Sequence, residues 1–144
     1  MILLDYSSIA MSSLMVQLDK YDDEPEMIRH MIFNILRKWN SLHREEYGEM
    51  IVCFDSKNNW RRDVFPHYKA SRKKNREASD LDWKLIFDTL SEIREDLANV
   101  FPYKVLHFPE TEADDIISAL VHHSQQFGNN EKVLIISSDK DFRQ

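Results

Sequence analysis

The chain reads as an α/β fold with a mainly parallel central sheet and helices on both faces. Three observations give this reading. Four short, β-rich apolar runs recur along the sequence, longer segments of helical period separate them, and an acidic residue or cluster follows the end of every run. At 144 residues with 42% apolar content, the chain has room for one domain, residues 1–144, with a sizeable core. Nineteen basic against 25 acidic residues give a net charge of −6, and an aromatic share of 11% argues against disorder. A single cysteine, Cys53, excludes a disulfide framework and a Cys-rich zinc site, and favours a reducing, cytoplasmic setting. With only Gly48 and Gly128 present, neither a P-loop nor a dinucleotide fingerprint can be written, which argues against nucleotide cofactors.

The elements follow in order. Ile2 to Leu4 is a buried strand, and the acid that follows it, with no basic segment ahead, argues against a secretory signal. Met27, Ile28, Met31, Ile32, Ile35, Leu36 and Trp39 recur at three- and four-residue spacing after Pro25, which suits a first helical turn. Met50 to Phe54 is the second strand. A second amphipathic helix runs through Leu81, Leu85, Ile86, Leu90, Ile93 and Leu97, and Tyr103 to Phe108 is the third strand. A third helix is predicted from Ala113 to Phe127 with Gly128 as its C-cap, and Val133 to Ile136 is the fourth strand.

Asp5 follows the first strand and Asp55 the second. Glu112, Asp114 and Asp115 come after the third, and Asp139 and Asp141 after the fourth. In an open parallel sheet ligands bind beyond the carboxyl ends of the strands, so these seven acids should converge on one rim. Singly, Asp5, Asp55 or Asp139 could simply cap the next helix, and the Glu112 cluster suits a helix dipole. Acid at four separate strand ends is not what capping alone predicts. Carboxylates packed together raise one another's pKa unless cations neutralise them, and an oxygen-only donor set selects Mg²⁺, or Mn²⁺ in its place, over zinc. His30, His43, His67, His107, His122 and His123 show no catalytic spacing, and Ser7, Ser8, Ser137 and Ser138 suit capping or outer-shell roles.

One segment breaks the rhythm. Between Ser56 and Arg76 stand Lys57, Arg61, Arg62, Lys69, Arg72, Lys73, Lys74 and Arg76 against Asp63 alone, a local balance of +7 that leaves −13 on the rest of the chain. The stretch is longer than an ordinary strand-to-helix connection and carries Trp60, Phe65 and Tyr68. Lys73 and Lys74 could be a solvated face. A basic, aromatic-bearing insertion beside an acidic metal pocket nevertheless suits a polyanion whose phosphates meet Lys and Arg and whose bases stack on rings.

Leu4-Asp5-Tyr6-Ser7, Phe54-Asp55, Trp60-Arg61-Arg62, Tyr68-Lys69-Ala70-Ser71-Arg72, Glu112-Ala113-Asp114-Asp115 and Ser137-Ser138-Asp139-Lys140-Asp141-Phe142 resemble, in order, the motifs of the flap endonuclease and 5′-nuclease family, whose core is PIN-like. The likeness is greatest to the branch formed by the ribonucleases H of T-even bacteriophages. It implies that Asp5, Asp55, Glu112, Asp114, Asp139 and Asp141 hold two Mg²⁺ ions directly or through water, with Asp115 as an outer helper. It implies that Lys69 and Arg72 grip the scissile phosphate beside the catalytic Asp139 and Asp141, and that Tyr68 lies against a terminal base. Residues 56–80 would form a basic arch, with Arg61, Arg62, Lys73, Lys74 and Arg76 also meeting nucleic acid. The implied substrate is a 5′ flap or an RNA or DNA strand of a duplex, including RNA primers. The implied protein acts as a monomer, away from membranes and alongside replication proteins, in a phage's case in the host cytoplasm. Family members carry a further metal-binding Asp and a duplex-gripping module downstream. The chain therefore reads as the N-terminal part of such a nuclease, whether a fragment, half of a split protein or a short relative.

Overall fold

The structure is a computed structural model that describes residues 1–17, 24–128 and 130–143; the side chains of Gln17, Lys73 and Phe127 lie outside the described parts. Four parallel strands, β1 (Ile2–Asp5), β2 (Met50–Cys53), β3 (Lys104–Leu106) and β4 (Leu134–Ile136), form one sheet in the order β3-β2-β1-β4. Register pairs Leu3 with Ile51 and with Ile135, and Val52 with Val105. The strand order reverses between β1 and β4, so the crevice between their carboxyl ends is the topological switch point of a doubly wound sheet.

Side-chain alternation along the strands divides the core into two layers. Ile2, Leu4, Met50 and Val52 face α1 (Tyr6–Gln17), α2 (Pro25–Tyr47) and α5 (Trp83–Asn99), through residues such as Leu14, Leu36, Ile93 and Leu97. Leu3 and Cys53 face the other way and pack on Ala113, Ile116 and Ile117 of α6 (Ala113–Ser124). Burial holds the Cys53 thiol protonated, its pKa pushed up to about 12, so it behaves as a small apolar residue of this layer. The helices thus cover both faces, as the alternation of periods predicts. No helix among the described residues is long and apolar enough to cross a membrane.

Several boundaries differ from those predicted. The serine-rich α1 adds a helix whose apolar spacing is too weak to announce it in the sequence; Tyr6, Ala10 and Leu14 are its buried apolar residues among those described. Leu81 precedes α5, whose start is set by Asp82 accepting from the Leu85 N–H at 3.0 Å. The third predicted helix ends at Ser124 and gives way to a 3-10 turn over Gln126–Gly128, so Gly128, at φ 79°, closes that turn and does not cap α6. The basic insertion contains two short helices, α3 (Trp60–Val64) and α4 (Ala70–Glu77). Glu110, in the turn ahead of α6, has φ 59°, a conformation that costs a residue with a Cβ about 1 kcal/mol. Glu110→Gly should therefore raise stability by up to about 1 kcal/mol, less the entropy a glycine adds to the unfolded chain; a urea midpoint that falls would refute this.

Candidate functional site

Two acidic groups stand at the carboxyl rim of the sheet. The first is at the switch point. Asp5 ends β1 and is almost fully buried; one oxygen accepts from the Ser8 N–H at 3.1 Å and the other from the Ser137 hydroxyl at 2.8 Å. Burial raises its pKa, and the negative charges of Asp55 and Asp139 add to the rise against the two hydrogen bonds. Asp114, in the first turn of α6, is pushed up to about 6 by partial burial and by Asp5, Asp139 and Asp55 together, with Lys69 opposing. Four carboxylates from four chain segments are thus close enough to feel one another.

Their anchoring shows that capping and rim placement coexist. Asp5 caps α1 through the Ser8 N–H, Asp139 accepts from the Asp141 N–H at 3.0 Å, and Asp55 caps α6 across the rim by accepting from the Ala113 N–H at 2.8 Å. Each bond occupies one lone pair and leaves carboxylate oxygen for another partner. A serine brace spans the switch point: the Ser137 hydroxyl lies 3.2 Å from the Ser8 hydroxyl, and the Ser138 N–H donates to Ser8 Oγ at 3.0 Å.

The second group is bound to the basic insertion. Glu112, only 5% exposed, accepts from Lys69 Nζ at 2.5 Å and from the Tyr68 hydroxyl at 2.8 Å. Arg61 holds Asp115 with a two-pronged bond at 2.8 and 2.6 Å and reaches Glu112 at 3.1 Å. Arg61 keeps the Asp115 carboxyl below the usual carboxylate range. Lys69, the residue ahead of α4, has φ 55°, an uncommon backbone conformation for a residue with a side chain.

The seven acids expected on one rim therefore divide. Asp5, Asp55, Asp114 and Asp139 gather at the switch point, Glu112 and Asp115 turn toward cations, and Asp141 is exposed beyond Asp139. Among the described residues no group of three His, Cys, Asp or Glu side chains is arranged to hold a metal ion. Of the residues expected to meet nucleic acid, Arg62, Tyr68, Lys69, Arg72 and Arg76 line a cavity of about 140 Å³ together with Lys57, and Asp55 and Glu112 form its acidic wall. Arg76 also stands 5.5 Å over the Phe87 ring, Lys74 is exposed, and the Lys73 side chain lies outside the described parts. The acidity of α6's first turn was legible in the sequence; that Arg61 and Lys69 would pair with it was not, because 51 and 43 residues separate Arg61 and Lys69 from Glu112.

The doubly wound parallel sheet with helices on both faces puts the chain in the α/β class with a PIN-like fold. The chain belongs to the 5′-3′ exonuclease family: residues 1–144 match that family's N-terminal, resolvase-like domain. It is 37% identical over 147 residues to the ribonuclease H of Enterobacteria phage T4, a match covering 99% of this chain and 47% of that protein. It is 31% identical over 115 residues to a 5′-3′ exonuclease of Buchnera aphidicola, covering 79% of this chain and 35% of that one. Two solved structures share the fold at 17% identity. The bacteriophage T5 5′-exonuclease with bound zinc has a TM-score of 0.72, covering 99% of this chain and 50% of that one. The T5 flap endonuclease with DNA and metal ions has a TM-score of 0.68, covering 98% and 49%. The chain thus spans about half the length, or less, of the relatives it matches.

Proposed function

We propose that residues 1–144 form the core of a Mg²⁺-dependent, structure-specific 5′ nuclease, with residues 56–80 as its basic arch. The nuclease hydrolyses RNA or DNA strands from the 5′ ends of duplexes or at 5′ flaps, as in removal of RNA primers during replication. The observation that carries this reading is the gathering of Asp5, Asp55, Asp114 and Asp139 at the switch point, next to a cavity lined by Lys69 and Arg72. The donor set fits a hard divalent cation: it offers carboxylate oxygen without sulfur or imidazole, and burial first, then mutual repulsion, raises Asp5 and Asp114, a cost that a cation relieves.

Asp5, Asp55, Asp114 and Asp139 would hold the ions, with Glu112 and Asp141 joining by side-chain rotation. When bound, the two Mg²⁺ ions supply Lewis acidity that activates water and stabilises charge on the attacked phosphate and the leaving oxygen. The chain's own cations do the rest. Lys69 leaves Glu112 for a phosphate oxygen, Arg72 grips a second, and their fixed charge counts most where the transition state becomes more anionic. The Tyr68 ring offers a base a stacking surface. The complex of the T5 relative with DNA and metal ions supports a nucleic-acid substrate, and the divalent ions bound to the T5 exonuclease support a metal site.

Incubation with 5′-labelled flap and RNA·DNA substrates in Mg²⁺ should release short 5′-phosphorylated products, and EDTA should stop their release. A second reading, favoured by the lack of a ready three-carboxylate set among the described residues, is a nucleic-acid-binding unit whose chemistry needs another chain. Binding without product in that assay would support the second reading and overturn the first.

A further inference from the structure

Arg61 stands in the basic insertion, yet its surroundings are not those of a phosphate contact. Its guanidinium spends two N–H bonds on Asp115, at 2.8 and 2.6 Å, and lies 3.1 Å from Glu112. Its faces are occupied as well, at 4.8 Å from the centre of the Trp60 ring and 6.0 Å from that of Tyr68. Its backbone N–H is bound by Asn59, itself buried, at 2.9 Å. A phosphate would have to displace two carboxylates from it. Arg72, by contrast, is exposed and lines the cavity. Asp115 completes the joint by accepting the Glu112 N–H at 3.1 Å, which fixes the first turn of α6 that carries Asp114.

We infer that Arg61 is a positioning residue: its fork on Asp115, with Glu112 beside it, fastens α3 to the start of α6 and sets Asp114 at the switch point, and it does not grip nucleic acid. The inference rests on the nuclease reading for the purpose of the joint, not for its existence. The joint matters because the other strong link, Lys69 to Glu112, is the one a substrate phosphate must break. Arg61 keeps the insertion seated while Lys69 turns away. Only the planar fork of arginine fits Asp115 in two places, so lysine is no substitute.

Hydrogen exchange on the free chain reads the joint directly. Arg61→Met should speed exchange in α3 and the first turn of α6 about tenfold relative to β1, Arg61→Lys nearly as much, and Asp115→Asn similarly. The Arg61→Met, Asp115→Asn double variant should exchange no faster than either single one. Calorimetric titration with Mn²⁺ reads the positioning: affinity should fall about tenfold in Arg61→Met, as for a lost partner outside the ligand set. Binding of a single-stranded oligonucleotide should keep its salt dependence in Arg61→Met, whereas Arg72→Met should lower the slope by about 1. Unchanged exchange, multiplied effects in the double variant, unchanged Mn²⁺ affinity or a lowered salt slope in Arg61→Met would each overturn the inference. If Arg61→Met unfolds globally, β1 exchange rises too and Arg61→Lys decides the matter. Failure of the nuclease reading shows separately, as wild-type chain that takes up no Mn²⁺ and yields no product.

Discussion

Asp139→Asn should cost at least about 100-fold in hydrolysis of a 5′ flap while the fold stays intact. Asparagine keeps the oxygen that accepts the Asp141 N–H, so the turn after β4 retains its local bond. What it loses is the negative charge that Asp139 contributes at the switch point, which both Asp5 and Asp114 feel. Neutral oxygen ligates Mg²⁺ far less well than carboxylate, because a hard cation is held mainly by charge. Circular dichroism and the thermal midpoint in EDTA should match the wild type or rise slightly, since one repulsive neighbour has gone. Turnover equal to wild type at saturating Mg²⁺ would remove Asp139 from the site.

Much of this arrangement was legible in the sequence, and the reasons are physical. Strands buried on both faces need continuous apolar runs, so Ile2 to Leu4 and Met50 to Phe54 announce themselves, and the acid after each falls at the rim by topology alone. The helices α2 and α5 bury one wide face each, which imposes the three- and four-residue spacing. The helix α1 buries little and so carries little pattern; the Asp5 side chain bonded to the Ser8 N–H marks its start better than its apolar residues do. Charge pairing was less legible still. A sequence shows that Arg61 is basic, but whether it meets a phosphate or Asp115 depends on which elements the fold brings together, and charge alone is blind to that. The same limit applies to Glu112: its place in the motif is visible, its bonds to Lys69 and Tyr68 are not.

The opposite behaviour of stability and metal uptake is expected from Asp114→Asn. In the folded chain Asp114 titrates at about 6, against about 3.9 for an unperturbed aspartate, so the folded state holds its proton more tightly than the unfolded one does. The contribution of the protonated group is fully present below about pH 4 and is lost as pH rises through 6; above that, the ionised carboxylate is a cost the fold carries. A shift of two units corresponds to roughly 3 kcal/mol, and because Asp114 is only partly buried, solvent screening reduces this to about 1–2 kcal/mol. In EDTA at pH 7.5 the asparagine variant should be more stable than wild type by that amount, a rise of roughly 3–6 °C in thermal midpoint for a chain of this size. At pH 3 the difference should nearly vanish, since wild-type Asp114 is then mostly protonated in both states. Added Mg²⁺ should reverse the ranking: wild type gains stability by RT ln(1 + [Mg²⁺]/Kd), while the variant, lacking a charged ligand, gains little. A metal-free variant that melts below wild type at pH 7.5 would show that Asp114 is not held against repulsion. Equal Mg²⁺-induced shifts in the two proteins would place the ions elsewhere. Burial and repulsion make the ionised carboxylate costly without a cation, and the same charge makes cation binding favourable, so one substitution must move the two quantities in opposite directions.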